Sequence, residues 1–133
     1  MMTINTLYND IGTALKGICD KIYPKNRPNS VDEKISSYIV VRLPSGIYNQ
    51  EIGWGYNDFT TTAQIEVYVR NRTSSKAPNG FDVKTTSDKV DKVLSKFPIS
   101  TKNITVAHPT ITLQADDGDG FDVTIIQGKL RTK

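Results

Sequence analysis

Cys19 and His108 are the only cysteine and histidine in the chain, so a thiol nucleophile with an imidazole base would have to use that pair. Cys19 sits beside Ile18 and Ile22 in an apolar stretch. There a cysteine acts as an inert small hydrophobe, because burial disfavours the thiolate. His108 precedes Pro109 and marks a bend in an extended segment rather than a base, since the residue before a proline is pushed towards extended backbone. With one Cys and one His, a tetrahedral zinc site of the usual ligands is excluded.

The closest approach to a metal site is Asp116, Asp117, Asp119 and Asp122, because clustered carboxylates suit hard cations. The spacing fails the calcium-loop template. Counted from Asp117, the fifth position is Phe121 and the twelfth is Gly128, where a bidentate Glu is required. The stretch 116–120 reads instead as a hairpin turn with glycines supplying positive φ. Gly53-Trp54-Gly55 and Gly118-Asp119-Gly120 lack the following helix that a phosphate loop needs, and no nucleophile-elbow or paired-carboxylate pattern occurs. The residues therefore predict no catalytic site, no cofactor site and no metal site. A small hydrolase would have to assemble its site from His108 and the aspartates 116–122.

A basic face is the remaining polar candidate. Lys89, Lys92 and Lys96, with Lys129, Arg131 and Lys133, could meet phosphates. No aromatic residues interleave with them to stack on bases, and the reading preferred is a solvated helix face and a frayed tail.

These residues must be positioned by elements legible from periodicity. Ile4, Leu7, Ile11, Ala14/Leu15, Ile18/Cys19 and Ile22 recur at helical spacing and predict a helix from about Thr3 to Tyr23, ended by Pro24. Residues 25–34 read as a loop. Ser37–Leu43 is a β-branched run closed by Pro44-Ser45-Gly46, a strand and a turn. In Thr60–Arg70, Ala63, Ile65, Val67 and Val69 alternate with Gln64, Glu66, Tyr68 and Arg70, predicting a strand with one face buried. Asn71–Lys84 is polar and turn-rich and predicts a mobile loop, with Phe81 and Val83 returning to the body. A second helix, capped by Thr85 or Thr86, carries Val90, Val93, Leu94 and Phe97 inward and stops at Pro98. Ile104–Ala115 is a strand bent at His108-Pro109, and Phe121–Leu130 is the last strand. The order helix, strand, strand, helix, strand, strand predicts one α+β domain over 1–133, with two helices packed on one face of a mainly antiparallel four- to five-stranded sheet.

Two features point to assembly. Ile47, Tyr48, Ile52, Trp54, Tyr56 and Phe59 punctuate a polar, glycine-containing excursion between two strands, and Trp and Tyr are enriched where partners meet. Long loops inside a compact domain are usually functional; a hairpin Glu51–Tyr56 folded onto its own sheet is the other reading. Secondly, Tyr38 and Val40 lie opposite Ile39, Val41 and Leu43, and Val123 and Ile125 opposite Ile126 and Leu130, so both faces of these strands are apolar. Two helices cover one face, and the other needs a neighbouring subunit, a β-bulge near Gly128 or a curled sheet.

Composition sets the outer bounds. The chain has 133 residues, 37% hydrophobic and 23% charged, with Lys+Arg 17 against Asp+Glu 14, an ordinary globular balance. The net charge of +3 is mild for a dedicated nucleic-acid binder. A lone cysteine, no signal-peptide pattern in 1–9 and no run near the ~20 apolar residues of a membrane span predict a soluble intracellular product.

As a whole the chain resembles the tail terminator and tail-completion proteins of tailed bacteriophages. The resemblance rests on the leading amphipathic helix Ile4–Ile22, the strand 38–44, the long excursion, the strand 62–70, the helix around Val90–Phe97 and the closing hairpin with Gly120–Thr124. It implies a homo-oligomeric ring, a hexamer, at the head-proximal end of the tail tube. Such a ring stops tube growth and joins tail to head, with the tail-tube protein and a head-closure or connector protein as partners. Localisation would be the bacterial host cytoplasm during assembly, then the virion tail. Another neck or head-closure role, and a nucleic-acid-binding accessory role, are the alternatives.

Overall fold

The structure is a computed structural model, and it describes residues 4–44, 48–49, 59–71 and 80–133. Helix α1 (Ile4–Ala14) leads into β1 (Lys21–Pro24), β2 (Ser37–Arg42), β3 (Tyr48–Asn49) and β4 (Phe59–Arg70). Helix α2 (Val83–Ser95) is followed by β5 (Ile99–Ser100), β6 (Ile104–Asp116) and β7 (Phe121–Thr132). The strands form a seven-stranded sheet in the order β1-β2-β4-β7-β6-β5, with β3 pairing the start of β4. All pairings are antiparallel except β1 with β2.

The α+β class and the two helices on a mainly antiparallel sheet are as the sequence predicts, but the sheet has more strands than four or five. The first correction explains part of the difference. The predicted helix 3–23 ends at Ala14, because Gly17 takes a φ of +90°, a left-handed geometry that terminates helices. Leu15, Ile18 and Cys19 still reach the core from the turns that follow, and Ile22 reaches it from β1. The apolar spacing is thus continuous while the backbone changes from helix to strand.

Both helices cover the same sheet face. Leu7, Ile11 and Leu15 from the first helical segment, with Val90 and Val93 from α2, pack on Ile39, Val41, Ala63, Ile65, Val67, Val69, Ile126 and Leu130. The α2 cap is Asp82 rather than Thr85 or Thr86: its Oδ1 accepts from Thr85 N at 3.1 Å and its Oδ2 from Thr85 Oγ1 at 2.7 Å. This satisfies one of the free amides of the first turn. Thr86 is buried instead.

The second face holds the second correction. β4 is buried on both sides, with Gln64, Glu66 and Tyr68 as inaccessible as their neighbours. The chain covers part of this face itself. Val31 and Ile35 of the segment 25–36, with Tyr23, pack on Tyr38, Val40, Tyr68, Phe121 and Val123. The bulge expected near Gly128 is present on the neighbouring strand: Gly128 pairs in register with Ala63 of β4, but Ala107 pairs with Lys129 and Thr110 with Gln127, so His108 and Pro109 of β6 together lie opposite Gly128. The register shifts are on β6, between Ala107 and Thr110 and between Ile111 and Leu113. There His108 takes a φ of 56°, so the predicted bend is present.

Candidate functional site

The strap 25–36 is held at both ends. Asp20 Oδ2 accepts from Ser36 N at 2.8 Å, an amide hydrogen bond that lowers the Asp20 pKa. Arg70 donates from Nε to Ile35 O at 3.0 Å and from Nη2 to Asp32 O at 3.1 Å, while its guanidinium lies 4.5 Å from the Phe121 ring centroid. At the other end, Arg27 reaches the β6–β7 turn, donating to Asp117 Oδ2 at 3.1 Å and also to Asp119.

That contact accounts for the acidic cluster. Asp117 Oδ1 accepts from Asp119 N at 2.7 Å and from Phe121 N at 3.1 Å, and Asp116 Oδ1 accepts from Gly118 N at 3.0 Å. These are turn-building bonds of the Asx type, with Gly118 and Gly120 at positive φ as the hairpin reading requires. Asp122 stands apart from the Arg27 contact; burial, then the nearby Asp116, raises its pKa. Among the described residues no group of His, Cys, Asp and Glu is arranged to hold a metal ion.

Beneath the strap, Tyr38 stacks on Tyr68 with centroids 4.5 Å apart and planes at 7°, and meets Phe121 and Tyr23 edge-on at 5.1 and 5.6 Å. Such aromatic pairs add to what area burial alone contributes. Tyr68 Oη donates to Glu66 Oε1 at 2.8 Å, and Gln64 Nε2 donates to Oε2 at 2.6 Å. Arg42 Nε lies 3.0 Å from Oε2 as an ion pair rather than an aligned hydrogen bond. Gln127 Nε2 extends the network to Gln64 Oε1 at 2.8 Å. The buried Glu66 carboxylate thus takes its partners from β2 and from β4 itself, Arg42 Nη2 adding a long bond to Oε1 at 3.4 Å. Burial raises the pKa of both tyrosines, and the hydrogen bond to Glu66 raises Tyr68 further.

Cys19 and His108 are not brought together. Cys19 lines a groove with Tyr8, Gly12 and Ile22 beside α1, and burial raises its thiol pKa. His108 lines a different, shallow groove with Thr62, Thr110 and Gln127. The basic face is partly committed. Lys89 Nζ donates to Ile18 O at 2.7 Å, Lys133 Nζ to Ser100 Oγ at 2.6 Å, and Lys92 pairs with Asp88 at 3.2 Å.

Of the predicted interface residues, Ile47, Ile52, Trp54 and Tyr56 lie outside the described residues, as do 72–79 of the predicted loop. Tyr48 pairs with Thr60 and Asn49 with Phe59 through their backbones. Residues 48–49 and 59–60 therefore pair antiparallel on either side of the excursion.

A different surface emerges from the geometry. Phe81, Val83, Ile111 and Leu113 are 47%, 72%, 45% and 49% exposed. Phe81 and Val83 thus do not return to the body as expected. With Leu94 and Ile111 they line a groove of roughly 460 Å³ between α2 and β6. The alternation of Ile111 and Leu113 in the sequence marks a strand but not its exposure. No signal in the sequence distinguishes them, since the uncharged run Ile104–Ala115 also holds the fully buried Ile104 and Val106.

The geometry defines an α+β protein of two helices over one face of a mixed sheet, the other face partly covered by its own chain. No protein-family model matches it, and its sequence matches no curated protein. Among the described residues no helix is long and apolar enough to cross a membrane.

Proposed function

We propose that this protein is a structural subunit that acts by assembling with copies of itself and with other proteins, in the manner of a phage tail terminator. In that role a ring of subunits sits on the head-proximal end of the tail tube, blocks further tube growth and presents a surface to the head. The observation that carries the assembly reading is the exposed apolar surface of Phe81, Val83 and Ile111 around the groove between α2 and β6. Clustered apolar exposure of this kind marks interaction sites more often than it marks a bare surface. The element order behind the phage resemblance supports the narrower role, together with the aromatic excursion Ile47–Phe59, of which Tyr48 and Asn49 pair with β4.

The mechanism is steric. A layer of subunits binds the tube on one side and offers no equivalent surface on the other. Light scattering at several protein concentrations, with and without purified tail tubes, tests it. Binding to tube ends and an arrest of tube elongation are expected. A protein that stays monomeric and neither binds nor caps tubes refutes the proposal.

A further inference from the structure

A helix packed on a sheet covers about two strands, because helices pack about 8–10 Å apart and paired strands lie about 4.8 Å apart. Helix α1 lies over β1 and β2, and α2 over β4 and β7. Among the described residues no helix follows α2 to cover the half of β6 nearest its turn, 111–116. Ile111 pairs with the core residue Ile126 and so belongs to the helix side of the sheet, yet it is 45% exposed. The flank of α2 beside it is apolar as well. One flank of α2 meets the α1 segment, where Lys89 bonds to Ile18 O; on the other, Val83 and Leu94 line the groove with Phe81 and Ile111. An apolar strand face meeting an apolar helix flank is the seat of a third helix in the same layer.

Charge selects the kind of helix. The charged groups among the described lining residues are all acidic: Asp91 of α2, and Asp116 and Asp122 beside the β6–β7 turn. None of the three takes part in the ion pairs of the described residues, which join Arg27 to Asp117 and Asp119, Arg42 to Glu66 and Lys92 to Asp88. Asp116 and Asp122 are register partners, and like charges directly opposite each other destabilise a sheet. Burial and then Asp116 raise the Asp122 pKa, the response of a carboxyl that lacks a cation. Thr86 also lines the groove; it is 5% exposed, and its hydroxyl has no hydrogen-bond partner, although buried polar groups ordinarily have one. We infer that the groove between α2 and β6 seats a basic amphipathic helix of another protein, its apolar stripe on Phe81, Val83, Leu94 and Ile111 and a lysine or arginine against Asp116 and Asp122. The chain itself supplies no such helix. Both of its own helices bury their apolar stripes in the core. Of the stretches outside the described residues, 50–58 carries Gly53, Gly55, Glu51 and Asp58, and 72–79 has no large apolar residue. A groove filled by a foreign helix makes a one-sided contact, as a subunit with different neighbours on its two sides requires.

The helix so seated is the partner of the surface on which the assembly reading rests, and the two are tested apart. The probe is a labelled peptide of about 14 residues, about 21 Å long as a helix, with Leu at helical spacing and Lys elsewhere. Its fluorescence anisotropy is followed as the full chain is added. Two comparators are the same peptide with Glu for Lys, and the same composition with Leu and Lys alternating as in a strand. The helical Leu/Lys peptide is expected to bind saturably although the protein's own net charge is +3, with both comparators at least about tenfold weaker. The double variant Val83→Gln/Ile111→Thr, altered at two exposed side chains, should weaken binding by about tenfold or more, and Asp122→Asn by a few-fold. Ile4→Gln, at an exposed apolar residue of α1 outside the groove, should bind as the parent does. Circular dichroism checks that each variant is folded. No saturable binding, equal affinity for the Glu peptide, tighter binding of the alternating peptide, or undiminished affinity in the folded double variant overturns the inference. A protein that caps tubes but binds no helical peptide refutes this inference alone, whereas one that binds the peptide through this groove and ignores tubes refutes the tail-end role alone.

Discussion

Replacing Gly128 by alanine is the sharpest test of the packing between the helices and the sheet. A Cβ at Gly128 would lie 2.9 Å from Val106 Cγ1, 3.0 Å from Phe97 Cε2 and 3.3 Å from the Ala107 carbonyl oxygen. Carbon atoms prefer separations of about 3.5–4.0 Å, so two side chains must each give by roughly half an ångström or more. Val106 is fully buried and has no free volume to enter, and Ala107 O is fixed in the β6–β7 ladder. Overpacking of this kind costs about 1–3 kcal/mol. The loss of backbone freedom in the unfolded chain returns about 0.4–1 kcal/mol where the alanine fits without strain. A net loss of about 1–2 kcal/mol is expected, which for a chain of this length lowers the melting temperature by about 3–7 °C. Urea and thermal unfolding followed by circular dichroism measure it. The same substitution in a Val106→Ala background should cost less, because the closest obstacle has gone. A Gly128→Ala protein at least as stable as its parent would show that the helix and β6 are not seated against β7 as described.

Glu66→Ala should cost about 3 kcal/mol in urea unfolding, because it leaves the Tyr68 hydroxyl, the Gln64 amide and the Arg42 guanidinium without their shared carboxylate. A loss below about 1 kcal/mol would mean that these groups are satisfied by water instead. Tyr38 and Tyr68 predict an alkaline limit. Their folded pKa values are raised, so between the unfolded tyrosine value, about 10, and the higher folded values the native state binds more protons. Their contribution is fully present below pH ~10 and is lost as pH rises further. The unfolding midpoint should fall above that pH, and fall less steeply in Tyr68→Phe; equal slopes in both proteins would contradict the burial of the Tyr68 hydroxyl.

The sequence by itself determined the α+β class, the two amphipathic helices and the positions of β2, β4, β6 and β7. These follow from short-range rules: apolar spacing of three or four for Val90, Val93 and Leu94, alternation in Ala63–Val69, and a glycine-aspartate turn at 116–120. It also marked the His108-Pro109 bend, since a proline has no N–H to give the sheet ladder and is confined to edges and bulges. Where the period alone was followed, the answer ran too far: Ile22 continues the helical spacing of Ile4–Ile18 while lying in a strand. One glycine's positive φ outweighed that pattern.

Only the tertiary structure decided which faces are covered. The apolar residues of β2 and β7 that asked for a neighbour find Val31, Ile35 and Tyr23 of the same chain, brought there by Arg27 bonds spanning 90 and 92 residues. Glu66 and Gln64 alternate like solvent-facing residues, yet are buried because Arg42, Tyr68 and Gln127 arrive from three other positions to meet them. Ile111 and Leu113 alternate like core residues, yet are exposed because β6 runs past the end of β5 and has no further described strand beside it. Alternation records that a strand has two sides; what lies against each side depends on contacts between residues far apart in the chain.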